Sequence, residues 1–362
     1  MTTFFFYVFC YYCLMTNGFS ILHAHTIASD GKFTYQELID MAKKYGVKTL
    51  AFTDHDMLVP GEVFKDLVSK NQDINLVSGI EVSANTVKEV EGTISVFHVI
   101  GLFVDPTNVD FQNYCKEAKE KRLERATRIV DGLTRNGFTI SVDEVLMQTE
   151  DGNIGRPHVV QALFNHPQNM TRLDELMEEF RLAAEKNPEL QFAYEEAVKD
   201  QPWGRVFRLI LKNDSFIRGV YVPYLKMLSM DEAVSLIRNA GGIAILAHPS
   251  YYKEKITREL LELFAKEKRI DGIETVFAIP EENQIEGALF ESFASDRKFA
   301  QEINEKYGLV GGGGGDVHVE ADLKRMLLPH NQKFIEETSY FIEDIHTKFP
   351  HHSLAWSSFH KN

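Results

Sequence analysis

The stretch that decides the fold is Phe19-Ser-Ile-Leu-His-Ala-His-Thr-Ile-Ala-Ser-Asp-Gly31. It begins with apolar residues typical of a short buried strand and continues into two histidines and an aspartate. A helix is predicted at residues 34–45, and a second strand at residues 48–53 leads directly into Asp54-His55-Asp56. A strand, a helix and another strand in this order predict a parallel sheet or barrel with the helices outside.

The same alternation returns near the end of the chain. Further strands are predicted at residues 75–77, 95–103, 243–247, 272–277 and about 309–310. Two capping boxes mark helix starts, Thr34 with Glu37 and Ser229 with Glu232. We therefore predict an α/β barrel formed by residues 16–109 and 218–335.

Residues 110–217 lack this rhythm and contain charged helical segments without a clear strand, so we predict a helical insertion or cap. Residues 336–362 are assigned as a C-terminal tail. Residues 1–15 form an apolar extension, and we expect native translation to begin at Met15. The run Phe4–Met15 is too short to span a membrane, so a membrane anchor is only the alternative interpretation.

Composition excludes several classes of protein. The chain has 362 residues, of which 44% are hydrophobic and 25% charged, values of an ordinary globular protein. Its formal net charge of −14 argues against binding long double-stranded nucleic acid, which requires basic surface. The 3 cysteines give no disulfide framework and predict a cytoplasmic, reducing location. Oligomeric state is not predicted.

Candidate metal ligands occur at or near the predicted strand ends. They are His23, His25, Asp30, His55, Glu81, His98, His248, Asp316 and His318. Glu81 is predicted to follow the third strand and His98 to lie within the fourth. Because active sites of parallel barrels form where the strands end, these side chains are expected to meet. Imidazole and carboxylate groups bind zinc, manganese and iron, so the sequence predicts a metal centre.

Together, these motifs resemble the PHP (polymerase and histidinol phosphatase) superfamily. The segments are His23-x-His-Thr-x-x-Ser-Asp-Gly31, Thr53-Asp-His-Asp56, Gly79-Ile-Glu81, His98, Ala247-His-Pro249 and Asp316-x-His318. Within it, the TrpH/YciV-like phosphoesterases are most similar, because they share Arg122-x-x-Arg-Ala126 and Gly155-Arg-Pro-His158. The resemblance covers residues 20 to about 325.

The resemblance implies a distorted, TIM-like (β/α)7 barrel that binds two to three divalent or trivalent ions of manganese, iron or zinc. The implied ligand sets are His23, His25, Glu81 and Asp316; His98 and His248 with Glu81 bridging; and Asp30, His55 and His318. In one departure from the family pattern, five glycines, Gly311–Gly315, precede Asp316. Glycine allows close backbone approach but reduces rigidity.

Clustered metal ions lower the pKa of bound water from about 15.7 to about 7 and neutralise phosphate charge. The predicted nucleophile is therefore a metal-bound hydroxide. The leaving group would be protonated by His158 or by a metal-bound water, and the sequence does not choose between them. Glu274, at a strand end, is expected to orient a ligand histidine.

Substrate selection is assigned to the helical insertion, expected to lie over the barrel mouth. Arg122, Arg125 and Arg156 are candidates to bind a second phosphate. Alternatively, Arg122 and Arg125 belong, with Arg128, to the solvated face of a long helix. Tyr221 and Tyr224 are candidates to stack on a base, or simply pack near Pro223.

The sequence thus favours a metal-dependent phosphoesterase acting on small nucleotides, such as nucleoside 3′,5′-bisphosphates, or on short RNA 5′ ends. One alternative is a phosphomonoesterase of the histidinol phosphate type. The other, from a different class, is a module that binds nucleotides without turnover.

Overall fold

The computed structural model describes residues 18–92, 96–149, 153–224, 227–350, 352 and 354–358. The predicted N-terminal extension, with Cys10 and Cys13, lies outside these residues. Backbone contacts divide the chain into two compact units. The first unit contains residues up to 27, 31–115 and those from 227 onward; the second unit contains residues 28–30 and 116–226.

Within the described residues, the strands all belong to the first unit and form one sheet. They are β1 (Phe19–Ile21), β2 (Val47–Phe52), β3 (Asn75–Thr86), β4 (Phe97–Leu102), β5 (Leu228–Ser229), β6 (Ile243–Leu246) and β7 (Gly272–Ile273). Their order is β1-β2-β3-β4-β6-β7, and β5 pairs with β3. The fold is therefore mixed α/β.

Helices fill most of the remaining described chain. They are α1 (Tyr35–Lys44), α2 (Gly61–Lys70), α3 (Val109–Arg135), α4 (Val142–Leu146), α5 (Arg156–Phe164), α6 (Pro167–Lys186), α7 (Gln191–Lys199), α8 (Pro202–Val206), α9 (Met230–Asn239), α10 (Arg258–Lys266), α11 (Ala288–Tyr307), α12 (Glu320–Met326), α13 (Gln332–Thr338) and α14 (Phe341–Lys348). None of those within the described residues is both long enough and apolar enough to cross a membrane. Both predicted capping boxes are present, at α1 and at α9.

Strand β4 does not follow the predicted parallel arrangement. It pairs antiparallel with β3 on one side and with β6 on the other. The reason is the connection from β3 to β4, which spans residues 87–96 and is too short for a parallel crossover. The chain reverses direction, so the first residues of β4 lie beside the last residues of β3.

Strand β3 is also longer than predicted, and this corrects the position of Glu81. The sequence placed Glu81 after the strand, but it lies in the middle of β3. Residues 76–84 are all buried, which is expected when both faces of a strand are covered. Glu81 therefore projects from a backbone that is hydrogen-bonded into the sheet.

The glycine segment Gly311–Gly315 is packed between strands. The carbonyl of Gly312 accepts hydrogen bonds from the N–H groups of Thr275 and Val276, both at 3.2 Å. On the other side, Leu22 N–H donates to the Gly313 carbonyl at 3.0 Å. The segment thus links β1 to the chain that follows β7, and the expected loss of rigidity is offset by these hydrogen bonds.

The core of the first unit includes the last helices. Phe334, Phe341 and Ile345 are buried in a cluster with Phe19 and Ile21 of β1. The segment after residue 336 therefore packs on the sheet. The assignment of domain roles to these parts of the chain stays a prediction.

In the described residues of the second unit, helices are joined by turns and irregular segments, and no strand is present. Its own apolar core is built from the long helices and from the end of the unit, including Leu133, Leu163, Leu176 and Val220. Helices α6 and α8 begin at Pro167 and Pro202, because a proline in the first turn of a helix forgoes no hydrogen bond.

Candidate metal centre

The loop after β1 carries His23 and His25, and both side chains are buried. The carboxylate of Asp54, just past β2, accepts hydrogen bonds from Thr26 N at 2.7 Å and from Thr26 Oγ1 at 2.8 Å. On the opposite side, His25 N–H donates to the Val317 carbonyl at 2.8 Å. The two histidines are therefore fixed from both neighbouring segments.

Glu81 is the central acid of the site. Its Oε1 lies 3.3 Å from His23 Nε2, 3.0 Å from His98 Nδ1 and 3.1 Å from His248 Nε2. Its Oε2 lies 2.7 Å from His55 Nδ1. One buried carboxylate thus faces imidazoles from several segments, which is the arrangement expected of a bridging ligand.

The reversed direction of β4 explains how His98 reaches this group. His98 is the second residue of β4 and pairs with Ser83, two residues beyond Glu81 on β3. Because β4 runs antiparallel, its beginning lies at the edge where the parallel strands end. The sequence placed His98 inside a strand, and only the strand direction brings it to the site.

Glu274 holds two of the histidines. Its Oε1 accepts a hydrogen bond from His23 Nδ1 at 3.0 Å, and its Oε2 accepts one from the His248 backbone N–H at 2.6 Å. Because Nδ1 of His23 is bound to Glu274, Nε2 is the ring nitrogen that faces Glu81 and Asp316 and is available to a metal ion. Glu274 orients a candidate ligand, as the sequence predicts.

Asp316 and His318 follow the glycine segment. Asp316 Oδ1 lies 3.2 Å from His23 Nε2 and 3.0 Å from His25 Nε2. The ring of His318 stacks on that of His25 with 4.2 Å between centroids. Asp316 adopts a φ of 54°, an uncommon conformation for a residue with a side chain. Such strain is typical of functional positions.

Asp56 is a structural residue that the sequence analysis did not single out. Its carboxylate accepts hydrogen bonds from Ser83 N at 2.7 Å and Ser83 Oγ at 2.9 Å, and also from the hydroxyl of Tyr114. Asp56 N–H donates to the Glu81 carbonyl at 2.9 Å. Asp56 therefore fixes the backbone from the Glu81 carbonyl to Ser83. In the sequence, the position of Asp56 in the Thr53-Asp-His-Asp56 motif could have indicated that it belongs to the site.

Glu81 and Asp316 are held in their ionised form. Burial opposes the charge on Glu81, but the imidazoles of His55 and His98 outweigh it and hold the pKa of Glu81 well below its usual range. Burial likewise opposes the charge on Asp316, and the imidazole of His23 is the largest influence that holds its pKa well below the ordinary value.

The imidazoles fall into two electrostatic classes. Burial alone would lower the pKa of His23, yet the carboxylates of Asp316 and Glu274 raise it well above its ordinary value. Burial, with the neighbouring imidazoles led by His318, lowers the pKa of His25 to about 4. His25 is therefore neutral at pH 7, which is the form that binds metal ions.

The donor set fits divalent metal ions. Ligand atoms lie within 4.8 Å of one another in several groups. The groups formed within the first unit are His23, His25 and Asp316; His23, Glu81 and His248; His55, Glu81 and His98; and His25, His55 and His318. Moreover, the buried Nε2 of His23 and Nδ1 of His248 have no hydrogen-bond partner among the described residues. Buried nitrogens without partners are costly, and those directed at carboxylates suit a cation.

Asp30 belongs to the second unit, and so do the predicted site residues that are not metal ligands, namely His158, Arg122, Arg125 and Arg156. Asp30 lies in the turn that Gly31 N–H closes on the Thr26 carbonyl at 3.0 Å. His158 is buried, and its Nδ1 accepts a hydrogen bond from Gly155 N–H at 2.9 Å. A neutral His158 therefore carries its proton on Nε2. The roles predicted for Asp30 and His158 stay predictions.

Arg122 and Arg125 are buried, so they do not belong to a solvated helix face. Burial lowers the pKa of Arg125, and the neighbouring guanidinium of Arg156 lowers it further. Nη2 of Arg125 has no hydrogen-bond partner among the described residues. By contrast, Arg128 is exposed and forms an ion pair with Glu124 at 2.6 Å.

Tyr221 and Tyr224 contact these arginines. The guanidinium of Arg125 lies 4.0 Å from the ring centroid of Tyr224 and 5.9 Å from that of Tyr221. The guanidinium of Arg122 lies 5.5 Å from the Tyr224 ring. Both tyrosines therefore have a ring contact with a cation inside the second unit.

The sequence matches the PHP domain over residues 22–346, which is most of the chain. The chain belongs to the PHP domain family. The 5′-3′ exoribonuclease Rnm of Escherichia coli is 26% identical to this PHP-domain protein over 248 residues, 68% of this chain and 71% of that enzyme. The 3′,5′-nucleoside bisphosphate phosphatase of Chromobacterium violaceum is 25% identical over 302 residues, 83% of this chain and 87% of that enzyme.

A solved structure shares the fold of this PHP-domain protein. It is an amidohydrolase from Chromobacterium violaceum with bound sulfate and no metal. The two chains are 25% identical with a TM-score of 0.57, and the match covers 83% of this chain and 87% of the other.

Proposed function

We propose that this PHP-domain protein is a metal-dependent phosphoesterase. Its substrates are small nucleotides, such as nucleoside 3′,5′-bisphosphates, or short RNA 5′ ends. The observation that carries the proposal is the buried group of imidazoles around Glu81, which suits clustered metal ions. The names of the exoribonuclease and the bisphosphate phosphatase support the substrate class.

We assign two to three ions of manganese, iron or zinc to this centre, and we assign the fold as the distorted (β/α)7 barrel. Glu81, His23, His25 and Asp316 would hold one ion. His98 and His248, together with Glu81, would hold a second ion, and Asp30, His55 and His318 a third. The hydrogen bonds from segment 311–315 to both β1 and the chain after β7 support a closed sheet.

Bound ions would lower the pKa of water and neutralise charge on the phosphoryl group, which is the chemistry that phosphate-ester hydrolysis needs. The chain's own residues prepare the site for this role. Glu274 orients His23, Asp54 holds the His25 loop, and Asp56 fixes the backbone at Glu81. For the leaving group, we assign proton donation to Nε2 of His158.

We also assign phosphate binding to Arg122, Arg125 and Arg156 of the second unit. No carboxylate is among the main influences on the pKa of Arg125, and its neighbours are two guanidinium groups and two tyrosines. A buried guanidinium such as that of Arg125, with no carboxylate among its main electrostatic influences, favours an anionic ligand. The planar guanidinium suits the geometry of phosphate oxygens.

The test is phosphate release by manganese-loaded protein, with a chelator control. The substrates are adenosine 3′,5′-bisphosphate, a short 5′-phosphorylated RNA and histidinol phosphate. We expect chelator-sensitive release from one of the first two, and loss of at least about a hundredfold in kcat for Asp316→Ala. Asp344→Ala, which breaks only an exposed ion pair with Lys348, is the control and keeps full activity.

Release from histidinol phosphate alone would overturn the nucleotide assignment in favour of a metabolite phosphatase. Binding of the bisphosphate without any release, by a protein shown to contain metal, would favour the nucleotide-binding module. Release that persists in Asp316→Ala would contradict the assigned ligand set.

A further inference from the structure

The short 3₁₀ turn Pro249–Tyr252, next to the candidate ligand His248, is anchored at several points. Tyr252 is buried, and its hydroxyl donates a hydrogen bond to the Ala247 carbonyl. The carboxylate of Asp296, on α11, accepts hydrogen bonds from Ser250 Oγ at 2.7 Å and from Lys253 Nζ at 3.0 Å. The residues before and after Tyr251 are therefore held in place.

Tyr251 itself points outward from this anchored turn. Its side chain is 58% exposed although its neighbours Ser250 and Tyr252 are buried. The Tyr251 ring lies 5.0 Å from the His248 ring and meets the Phe293 ring edge-on at 5.9 Å. An exposed aromatic residue thus stands directly beside the metal centre on a fixed backbone.

The apolar surface continues along α11. Leu289 is 71% exposed and precedes Phe293 by four residues, so the two share one side of the helix. Single exposed apolar residues need no explanation, but here several adjoin a site built for phosphate. The contact with His248 makes this surface continuous with the metal centre.

We propose that Tyr251, supported by Phe293, is a stacking platform for the nucleobase of the substrate. The inference rests on the proposed function and deepens it, because it names the part of the substrate that is recognised outside the metal centre. A nucleotide carries its base one ribose away from its phosphate. The Tyr251 ring lies beside the ring of the candidate ligand His248, which suits this separation between base and phosphate. An aromatic ring can stack on any base.

The experiment compares Tyr251→Ala with Tyr251→Phe in manganese-loaded protein. The substrates are adenosine 3′,5′-bisphosphate and ribose 5-phosphate, which has no base. For Tyr251→Ala we expect the ratio of kcat/KM between the two substrates to fall about tenfold to a hundredfold, mainly through KM for the nucleotide. Tyr251→Phe keeps the aromatic face and restores the ratio.

Tyr340→Ala is the matched control. Tyr340 is 65% exposed and directly precedes α14. Ile342 and Glu343 of α14 line a surface cavity with Lys48 and Asn75. Lys48 and Asn75 lie at the beginnings of β2 and β3, away from the strand ends that carry the metal centre. Its replacement should leave the selectivity ratio unchanged. An equal loss on both substrates in Tyr251→Ala would overturn the proposal, because Tyr251 would then act through His248. An unchanged ratio would overturn it as well.

A second readout separates this inference from the proposed function. Calorimetry measures binding of adenosine monophosphate to the manganese-loaded protein without any turnover. If the wild-type protein releases no phosphate, weaker binding by Tyr251→Ala than by Tyr340→Ala would support the platform while the proposed activity fails. Equal binding by these two variants would overturn the platform whether or not phosphate is released.

Discussion

At the scale of single residues, Glu274 shows how a buried group without substrate contact sets the geometry of the site. One of its oxygens accepts a hydrogen bond from His23 Nδ1, and the other accepts a hydrogen bond from the backbone N–H of His248. Both oxygens must be acceptors for this pair of hydrogen bonds. A carboxylate meets this requirement, whereas an amide does not, because it offers one acceptor and one donor.

We therefore predict that Glu274→Gln weakens metal binding about tenfold to a hundredfold. The amide NH₂ group would face a donor at His23 or at His248, and the His23 ring would lose its fixed orientation. Competition against a chelating dye, read by absorbance, measures the affinity. Glu259→Gln on α10 is the control, and an equal loss in both variants would contradict the argument.

At the scale of elements, the glycine segment is a packed part of the sheet. Gly313 has a φ of 112°, and a Cβ there would overlap the Val276 carbonyl and lie 2.7 Å from Glu274 Oε1. Gly46 also has a positive φ, of 80°, but nothing lies within 4 Å of the position of its Cβ. A side chain at position 46 therefore adds backbone strain alone, whereas a side chain at position 313 adds both backbone strain and steric overlap.

We predict that Gly46→Ala lowers the free energy of unfolding by about 1 kcal/mol through backbone strain alone. Gly313→Ala should lower it by a further 1–3 kcal/mol, roughly, because the overlap adds to the strain. Urea denaturation followed by circular dichroism measures both. Equal losses would show that the segment yields readily and is not packed as described.

The start of α9 gives an independent prediction. Ser229 Oγ accepts a hydrogen bond from Glu232 N–H, and the Glu232 carboxylate accepts one from Ser229 N–H at 2.7 Å. Ser229→Ala should lower the free energy of unfolding by about 1 kcal/mol. Metal affinity should stay unchanged in this variant, since the cap is not part of the centre. A change in metal affinity would contradict that separation.

Much of the fold and of the site was predictable because the signals are local. The caps at Thr34 and Ser229 and the histidines after β1 follow from neighbouring residues alone. The position of Glu81 within β3 was missed, because burial on both faces gives no periodic pattern to mark a strand end. The antiparallel direction of β4 was missed because β3 was predicted to end at Val77, which left residues 78–94 as a connection long enough for a parallel crossover.

Tyr251 was missed for a related reason. The sequence analysis drew attention to Tyr221 and Tyr224, near Pro223, as candidates to stack on a base. The Tyr251 side chain is exposed beside the buried centre because Asp296 anchors Ser250 and Lys253 on either side of it. Asp296 lies more than forty residues later in the chain. Only the folded structure brings these groups together.

At the scale of the whole molecule, the metal centre concentrates charge in a protein that already carries a net charge of −14. Bound cations would offset part of that charge and would link strands β1, β3, β4 and β6 through their side chains. Because metal ions bind the folded centre better than the unfolded chain, they should stabilise the native state.

We predict that removing metal with a chelator lowers the melting temperature. At a metal concentration a hundredfold above Kd, the lost stabilisation is about 2.7 kcal/mol. Scanning calorimetry with and without manganese measures the shift. Asp316→Ala should show a much smaller shift, and an equal shift in that variant would place the stabilising ion elsewhere.

The candidate ligands of the centre are spread from His23 to His318, almost the whole length of the chain. During synthesis the N-terminal histidines therefore leave the ribosome long before Asp316 exists to complete their set. The nascent chain holds only partial sites, and the finished centre forms after most of the polypeptide has been released. The metal that such a late-formed centre takes would then depend on the ions available where the completed chain folds.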